Sequence, residues 1–410
     1  MERSDVLNLG AGPSALPENV LQEAAKGLLN YNGTGMGITE ISHRSKEFQA
    51  LTTELGSIIR DLLDVPSTHE VLFIQGGASL QFSAIVLNLL SRFKLIHPNI
   101  PSNETYIDYV VTGVWSKKAF EEGKRLAASI GAHANLAVDS RAHSKDGKSF
   151  DNIPPHSAYQ WSPKAQTAFV YYCENETVNG VQFAPSQALT TSFPLGMFDD
   201  SIDPPIIADF SSSFLSRPIP NIGSYGMIYG GAQKNVGPAG LTILIVRKDL
   251  LVDVDEAQKL GAPIVPLTLS FKTQATSGSL YNTPPMFSMY VALLVAKDIL
   301  ARGGLTPLEE ANYQKQETVY TALEKLETAG LIRLNVTPGS RSWMNATFIF
   351  TDPSHEGEFL KAAEEKGLRG IKGHRSVGGF RISLYNAITT EIADRVANFL
   401  IEFLESSKTL

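Results

Sequence analysis

Cysteine is almost missing from this chain. Cys173 is the single one in 410 residues, so no intramolecular disulfide framework can form, and a reducing compartment is the expectation. Its neighbours, Ala168-Phe169-Val170-Tyr171-Tyr172, read as a buried strand. Burial raises a thiol pKa, so Cys173 reads as structural rather than catalytic. Long apolar runs are missing as well: no stretch reaches the roughly 18 apolar residues of a membrane helix. The first residues, Met1-Glu2-Arg3-Ser4-Asp5, carry acids from position 2, where secretory leaders have an apolar segment and transit peptides avoid acids. A cytoplasmic protein with no membrane partner is expected. Nor is positive charge in excess. Lys+Arg 35 against Asp+Glu 42 gives a net charge of -7, which offers no global attraction for nucleic acid and leaves any anionic ligand to a local cluster. No internal repeat, low-complexity segment or metal site is expected.

The length exceeds one small core and predicts two domains. Apolar side chains at helical spacing predict amphipathic helices over 16–29 and 48–63, with a glycine-containing loop, Asn32 to Arg44, between them. A strand over 70–74, the pair Gly76-Gly77 and a helix over 78–90 form a strand, turn and helix. The alternation continues with a strand over 106–112, a helix over 116–128, and strands over 169–173, 206–210, 227–229 and 241–246. Alternating elements with fully apolar strands predict an α/β fold whose mainly parallel sheet is covered on both faces. The polar stretch 141–164 reads as a long surface excursion with no chemistry. Beyond about residue 285 the pattern shifts to helices over 286–301 and 308–328, strands near 347–350 and 380–384, and a helix over 390–404. The predicted division is therefore 16–285 as a large domain, and 1–15 with 286–410 as a smaller α+β domain.

Two constellations carry chemistry. Lys234 lies in the glycine-dense loop Gly230-Gly231-Ala232-Gln233-Lys234-Asn235-Val236-Gly237, and Asp209 ends the apolar run Pro205-Ile206-Ile207-Ala208. Open α/β sheets bind ligands at the carboxyl ends of their strands, so successive strand ends would deliver an amine and a carboxylate to one rim. That pair suits pyridoxal phosphate, which needs a lysine to form a Schiff base and an acid to keep its pyridine nitrogen protonated. Gln75-Gly76-Gly77-Ala78-Ser79 stands at a strand-to-helix turn, where backbone N–H groups and the helix dipole suit a phosphate. Trp115 and Thr177 follow strands toward the same rim; alone, the first would read as packing and the second as a turn residue. The second constellation is cationic: Ser42-His43-Arg44, and Gly373-His374-Arg375 with Arg381. Arginine binds carboxylate and phosphate through a planar fork, so glycine-flanked arginines suit anionic substrate groups.

The segments Glu40-Ile41-Ser42-His43-Arg44, Gln75-Gly76-Gly77-Ala78-Ser79, Asp209-Phe210-Ser211-Ser212, Tyr229-Gly230-Gly231-Ala232-Gln233-Lys234, Tyr281-Asn282-Thr283-Pro284-Pro285 and Gly373-His374-Arg375-Ser376-Val377-Gly378-Gly379 resemble, in order and along essentially the whole chain, the phosphoserine aminotransferases of the class V aminotransferase family. The resemblance implies the pyridoxal phosphate-dependent transferase fold of type I and transamination between L-glutamate and 3-phosphohydroxypyruvate, in serine biosynthesis. It makes Lys234 the cofactor-linked lysine, Asp209 the partner of the pyridine nitrogen, Trp115 the stacking residue and Thr177 the contact to the 3-hydroxyl. Ala78, Ser79 and Gln233 match phosphate contacts. Asn282 and Thr283 match residues that the other subunit contributes to the same phosphate, which implies a homodimer with shared active sites. His43, Arg44, His374 and Arg375 match the substrate-phosphate pocket, the first two from the partner chain, and Arg381 matches the ligand of the α-carboxylate. Alanine:glyoxylate and serine:pyruvate aminotransferases need no phosphate site, and a cysteine desulfurase needs a reactive thiol, so neither rival fits as well. A non-catalytic phosphate-binding protein would explain Gly76-Gly77 but not Lys234 with Asp209.

Overall fold

The computed structural model of the chain describes residues 2–198 and 203–407; Met1, which opens the N-terminal segment read above, lies outside them. After a short strand β1 (Leu7–Asn8), the first two helical patterns form α1 (Glu18–Leu29) and α2 (Lys46–Leu63). At the start of α2 the Ser45 hydroxyl accepts from the Phe48 amide at 3.2 Å, meeting a donor the helix itself leaves unpaired. Phe48, Leu51, Leu55, Ile59 and Leu62 form its buried stripe. Each such side chain withdrawn from water contributes roughly 1.5–3 kcal/mol, so packing of the stripe holds the helix. The turn carrying His43 and Arg44 is therefore anchored at a capped helix start.

The central sheet is built from β2 (His69–Gln75), β3 (Tyr106–Val111), β4 (His133–Asp139), β5 (Thr167–Cys173), β8 (Ile206–Asp209), β9 (Met227–Gly231) and β10 (Leu241–Arg247), with a two-residue hairpin, β6 (Asn175–Glu176) and β7 (Val181–Gln182), between β5 and β8. Across the sheet the order is β2-β10-β9-β8-β5-β3-β4. Only β10 runs against its neighbours, β2 and β9; the remaining pairs are parallel. The other six strands thus point the same way and present their carboxyl ends at one edge. β5 is buried throughout, with Val170 and Tyr172 in the core shared with α1 and α2, and Phe169 and Tyr171 in the core on the opposite face. Period-two alternation between two covered faces is why this strand carries no polar side of its own. The second face is covered by α3 (Gly77–Ile96) and α4 (Val114–Ala128). On composition alone α3 is long and apolar enough to cross a membrane, yet Phe82, Ile85, Val86, Leu89 and Leu90 are buried here in the protein core. The edge strand β4, half-exposed along most of its length, has no apolar run and is not legible as a strand in the sequence.

Past the sheet come the short α5 (Val254–Lys259) and α6 (Phe271–Thr276), then α7 (Met286–Ala301), which packs on α1 and α2, and α8 (Leu305–Thr328). A three-stranded antiparallel sheet of β11 (Ile332–Leu334), β12 (Asn345–Phe350) and β14 (Phe380–Ser383), together with α9 (His355–Glu365), β13 (Leu368–Arg369) and α10 (Thr390–Ser407), encloses a separate core rich in phenylalanine. β1 pairs in parallel with β13, Leu7 opposite Leu368, so Leu7 and Leu9 belong to this core.

The stretch 141–164 is not a plain surface excursion. Ile153 and Tyr159 are buried in the main core, and Tyr159 stacks on Trp161 with centroids 5.3 Å apart. The Ile153 amide donates to Ser340 Oγ at 2.9 Å, and the Thr337 amide donates to the Asp151 carbonyl at 2.9 Å. The segment therefore straps the two cores together. Its anchors are isolated apolar residues without helix or strand periodicity, which a compositional reading averages away.

Candidate active site

Asp209, Cys173 and Tyr229 lie in register at the carboxyl ends of β8, β5 and β9. The Asp209 carboxylate is buried. Its Oδ1 accepts from the Ser211 amide at 2.8 Å and its Oδ2 from the Tyr229 hydroxyl at 3.0 Å; Tyr229 in turn contacts the Tyr171 hydroxyl at 2.9 Å. Burial raises the Asp209 pKa, while these hydrogen bonds and the nearby Lys234 pull it down. Each carboxylate oxygen retains a lone pair for a further donor.

Lys234 occupies the turn after β9 and is held from an unexpected side. Its Nζ donates to the Ala11 carbonyl at 2.6 Å, and the Tyr385 hydroxyl donates to the same oxygen at 3.0 Å, with the Tyr385 ring centroid 5.9 Å from Nζ. The Ser14 amide donates to the Gln233 carbonyl at 3.0 Å and the Ser14 hydroxyl to the Lys234 carbonyl, so residues 11–14 clasp the lysine loop. Gly12 makes that approach feasible: its φ is +128°, and a Cβ there would stand 2.9 Å from Lys234 Cδ. Burial, then the Arg381 cation, lowers the amine pKa from 10.5 to about 8, with Asp209 opposing.

At the β2–α3 turn Gly76 and Gly77 both take positive φ, 98° and 65°, and a Cβ on Gly76 would lie 2.3 Å from the Leu80 side chain. The turn brings the first amides of α3, which have no intrahelical acceptor, to the same edge. Trp115 is placed by a different device. The Glu176 carboxylate accepts from the Trp115 and Ser116 amides, both at 2.8 Å, and from the Ser116 hydroxyl at 2.5 Å, capping α4. Burial lifts the Glu176 pKa from 4.5 to about 7 against the pull of those donors.

One cavity of about 410 Å³ joins these parts: Ala78, Ser79, Trp115, Thr177, Asp209, Gln233 and Lys234 line it, with Gly12, Cys173 and Asn175. A partly buried amine, a buried carboxylate with spare lone pairs, an indole and an open helix N-terminus on one cavity fit a flat heteroaromatic ring carrying a phosphate. Pyridoxal phosphate has that shape and charge.

The cationic residues fall into two groups, neither lining that cavity. Arg381, on β14, donates from Nη1 to the Thr177 carbonyl at 3.0 Å, while its buried Nε has no partner among the described residues. Burial and the cations of Arg381, Lys118 and Arg375 lower the His374 pKa, so these four side chains share one positive field. Arg375 is exposed. In the other group, the Thr283 hydroxyl lies 3.3 Å from His43 Nδ1, the Thr283 carbonyl accepts from Gln75, and Asn282 and Arg44 are exposed. Sequence reading did not single out Ala11, Tyr385, Glu176 or Lys118. Ala11 acts through a backbone oxygen and has no side-chain signal; Lys118, three residues past Trp115 with Nζ 4.7 Å from its ring centroid, is findable from helical spacing.

The aminotransferase class-V family matches residues 6–396. The chain is 39% identical over 398 residues to the phosphoserine aminotransferase of Nitrosomonas europaea, covering 97% of this chain and 98% of that protein. It is 38% identical over 413 residues to the phosphoserine aminotransferase of Saccharomyces cerevisiae, covering 99% of each. Among solved structures, the PLP-bound phosphoserine aminotransferase of Trichomonas vaginalis superposes with a TM-score of 0.80 at 34% identity, over 97% of this chain and 99% of that one.

Proposed function

Because this chain belongs to the class-V aminotransferase family, we propose that it is a phosphoserine aminotransferase, moving an amino group from L-glutamate to 3-phosphohydroxypyruvate to give 2-oxoglutarate and O-phospho-L-serine, in L-serine biosynthesis. The observation that carries the proposal is the meeting of Lys234, the buried Asp209 carboxylate and the open amides of α3 on one cavity. Pyridoxal phosphate, when bound, supplies a carbonyl that takes up the amino group and a pyridinium ring that withdraws electrons from the reacting carbon.

Lys234 carries the cofactor and, once its amine is free, moves a proton at the substrate α-carbon as base and then acid. Its pKa near 8 keeps the neutral amine accessible near neutral pH. Asp209 holds the proton on the ring nitrogen; the charge it stabilises is what relieves its own burial. Ala78, Ser79 and Gln233, with Asn282 and Thr283 of a second copy, hold the cofactor phosphate. Trp115 and Thr177, on the same cavity, would hold the cofactor ring, the indole by stacking and the threonine by a hydrogen bond to the ring hydroxyl. Arg381, whose Nε is unpartnered among the described residues, takes the substrate α-carboxylate. His374 and Arg375, with His43 and Arg44 of a second copy, take either the glutamate γ-carboxylate or the substrate phosphate.

A homodimer is supported by His43, Arg44, Asn282 and Thr283, which match site residues in the resemblance yet do not line the cavity of their own chain. A division into a large domain and a small one joined by the first residues is supported by the separate phenylalanine-rich core of Leu7, Leu9 and residues 319–404; α7, which follows residue 285, packs in the main core with α1 and α2, so the boundary falls after that helix rather than at 285. The free Cys173 thiol suits a cytoplasmic setting. The test is an assay coupled to 2-oxoglutarate formation: turnover with 3-phosphohydroxypyruvate and none with pyruvate or glyoxylate is expected. Equal rates with all three would sink the substrate assignment. Separately, Lys234→Ala should abolish the borohydride-reducible link to pyridoxal phosphate, and a retained link would overturn the assignment of the lysine.

A further inference from the structure

Lys315, in the middle of α8, is buried to 1% exposure, and among the described residues no carboxylate partners it. Its Nζ donates to three backbone carbonyls, Leu384 at 3.0 Å, Tyr385 at 3.1 Å and Ile388 at 2.8 Å. Three acceptors need three N–H bonds, and only the ammonium has three. A buried cation is costly, and a merely structural tie between a helix and a turn needs none. The turn it grips immediately follows β14, the strand of Arg381. Tyr385 places its hydroxyl on the Ala11 carbonyl that also receives Lys234 Nζ. The next residue, Asn386, donates its amide to Asn235 Oδ1 at 3.1 Å, directly beside Lys234 in the chain, and its side chain donates to the Leu215 carbonyl at 2.8 Å. One turn before Lys315, Asn312 donates to Asn386 Oδ1 at 3.2 Å and to the Ser216 carbonyl at 2.7 Å. Two consecutive residues therefore bear on the lysine loop, and one ammonium fixes both.

We propose that Lys315 is a positioning residue for the transamination chemistry: by gathering the Leu384, Tyr385 and Ile388 carbonyls it holds Tyr385 and Asn386 against Ala11 and Asn235, and so fixes the direction in which Lys234 presents its amine. The proposal rests on Lys234 as the cofactor-bearing lysine. Burial, with the Arg302 cation as a lesser contributor, lowers the Lys315 pKa to about 7, against which the three carbonyl acceptors favour the ammonium, so the grip weakens as pH rises above neutrality. The charged and titratable groups that face Lys234 are Arg381, Asp209, Cys173 and Tyr385. Lys315 is not among them, so its effect on Lys234 travels through the Ala11 carbonyl rather than through space.

The test uses the cofactor-loaded protein and three readouts: kcat, KM for glutamate, and the pH midpoint of the visible band of the linked cofactor. Lys315→Met keeps the length and removes the ammonium. Losing the ordered acceptor, the Lys234 nitrogen should give up its proton more readily, moving the midpoint down by about half a pH unit or more. Misdirection of the amine should cut kcat about tenfold with KM for glutamate changed less than about twofold. Tyr385→Phe deletes the hydroxyl that meets Ala11, also accepts from Asn345 at 3.2 Å and bonds to Thr177, and should move the midpoint in the same direction, with the double variant no worse than the larger single effect. An unmoved midpoint in Tyr385→Phe overturns the proposal even if Lys315→Met fails to fold. A Lys315→Met protein that binds cofactor with unchanged midpoint and kcat overturns it too, as does a uniform loss of kcat, KM and cofactor retention. Absence of any visible band in the unmodified protein would instead defeat the assignment of Lys234.

Discussion

At the scale of single residues, the site is governed by competing demands on two buried charges. Lys234 is pushed toward the neutral amine by burial and by Arg381, and held toward the ammonium by Asp209. A fall from 10.5 to about 8 raises the neutral fraction near pH 7 by roughly 300-fold, since each pKa unit is a factor of ten. Arg381 thus has an effect on the lysine separate from substrate binding. Removing its cation in Arg381→Ala leaves burial in place but should let the pKa of the freed Lys234 amine rise part of the way back toward 10.5, displacing the acid limb of the kcat profile to higher pH; a pH series on that variant at saturating substrate checks the sign. Lys234 and Asp209 were legible because each sits where an apolar strand run breaks, and a strand-end amine and carboxylate invite a joint reading. Tyr385 and Ala11 were not. A tyrosine near a strand end has no distinguishing neighbours, and a backbone carbonyl has no letter in the sequence at all.

At the scale of elements, α3 and α4, which face the cavity, begin with non-standard caps. α3 starts from Gly76, where the left-handed φ and the 2.3 Å approach of Leu80 leave no room for a side chain. Gly76→Ala should cost about 1–3 kcal/mol and release pyridoxal phosphate more readily, read from melting curves with and without added cofactor. α4 starts from Glu176, a carboxylate from another element. Glu176→Ala would strand the Trp115 and Ser116 amides, lowering stability by about 1–3 kcal/mol and changing the Trp115 fluorescence. The Glu176 pKa is raised, so the folded chain holds an extra proton between the ordinary 4.5 and about 7, and the ionic form weakens folding as pH rises through that window. Element type was readable wherever burial imposes a period, as in α2 and β5. It was unreadable for β4, which is half-exposed at the sheet edge, and for β1 and β13, two-residue strands defined only by meeting each other.

At the scale of the whole molecule, His43, Arg44 and Thr283 do not line the cavity of their own chain, and the proposed shared-site dimer would give that arrangement its use. Mixing Lys234→Ala protein with Arg44→Ala protein, after unfolding and refolding together, should restore about a quarter of the activity of the unmodified protein. Half the dimers are hybrids, and one of their two sites is intact. No recovery would mean that Arg44 serves its own chain. The strap of residues 141–164 belongs to this scale too; its anchors at Ser340 and Thr337 are distant in sequence, so only the assembled cores reveal it.

Cys173 stands in the cavity wall beside Asp209, and it is the chain's sole thiol. Burial and the nearby acids Glu176, Asp209 and Glu174 keep it protonated and slow to react. To a chemist this is a built-in reporter of rate: alkylation of so buried a thiol is expected to be slow, and slower still with the cavity filled, so the rate of the mass shift with and without added pyridoxal phosphate compares open and filled cavities without introducing any label.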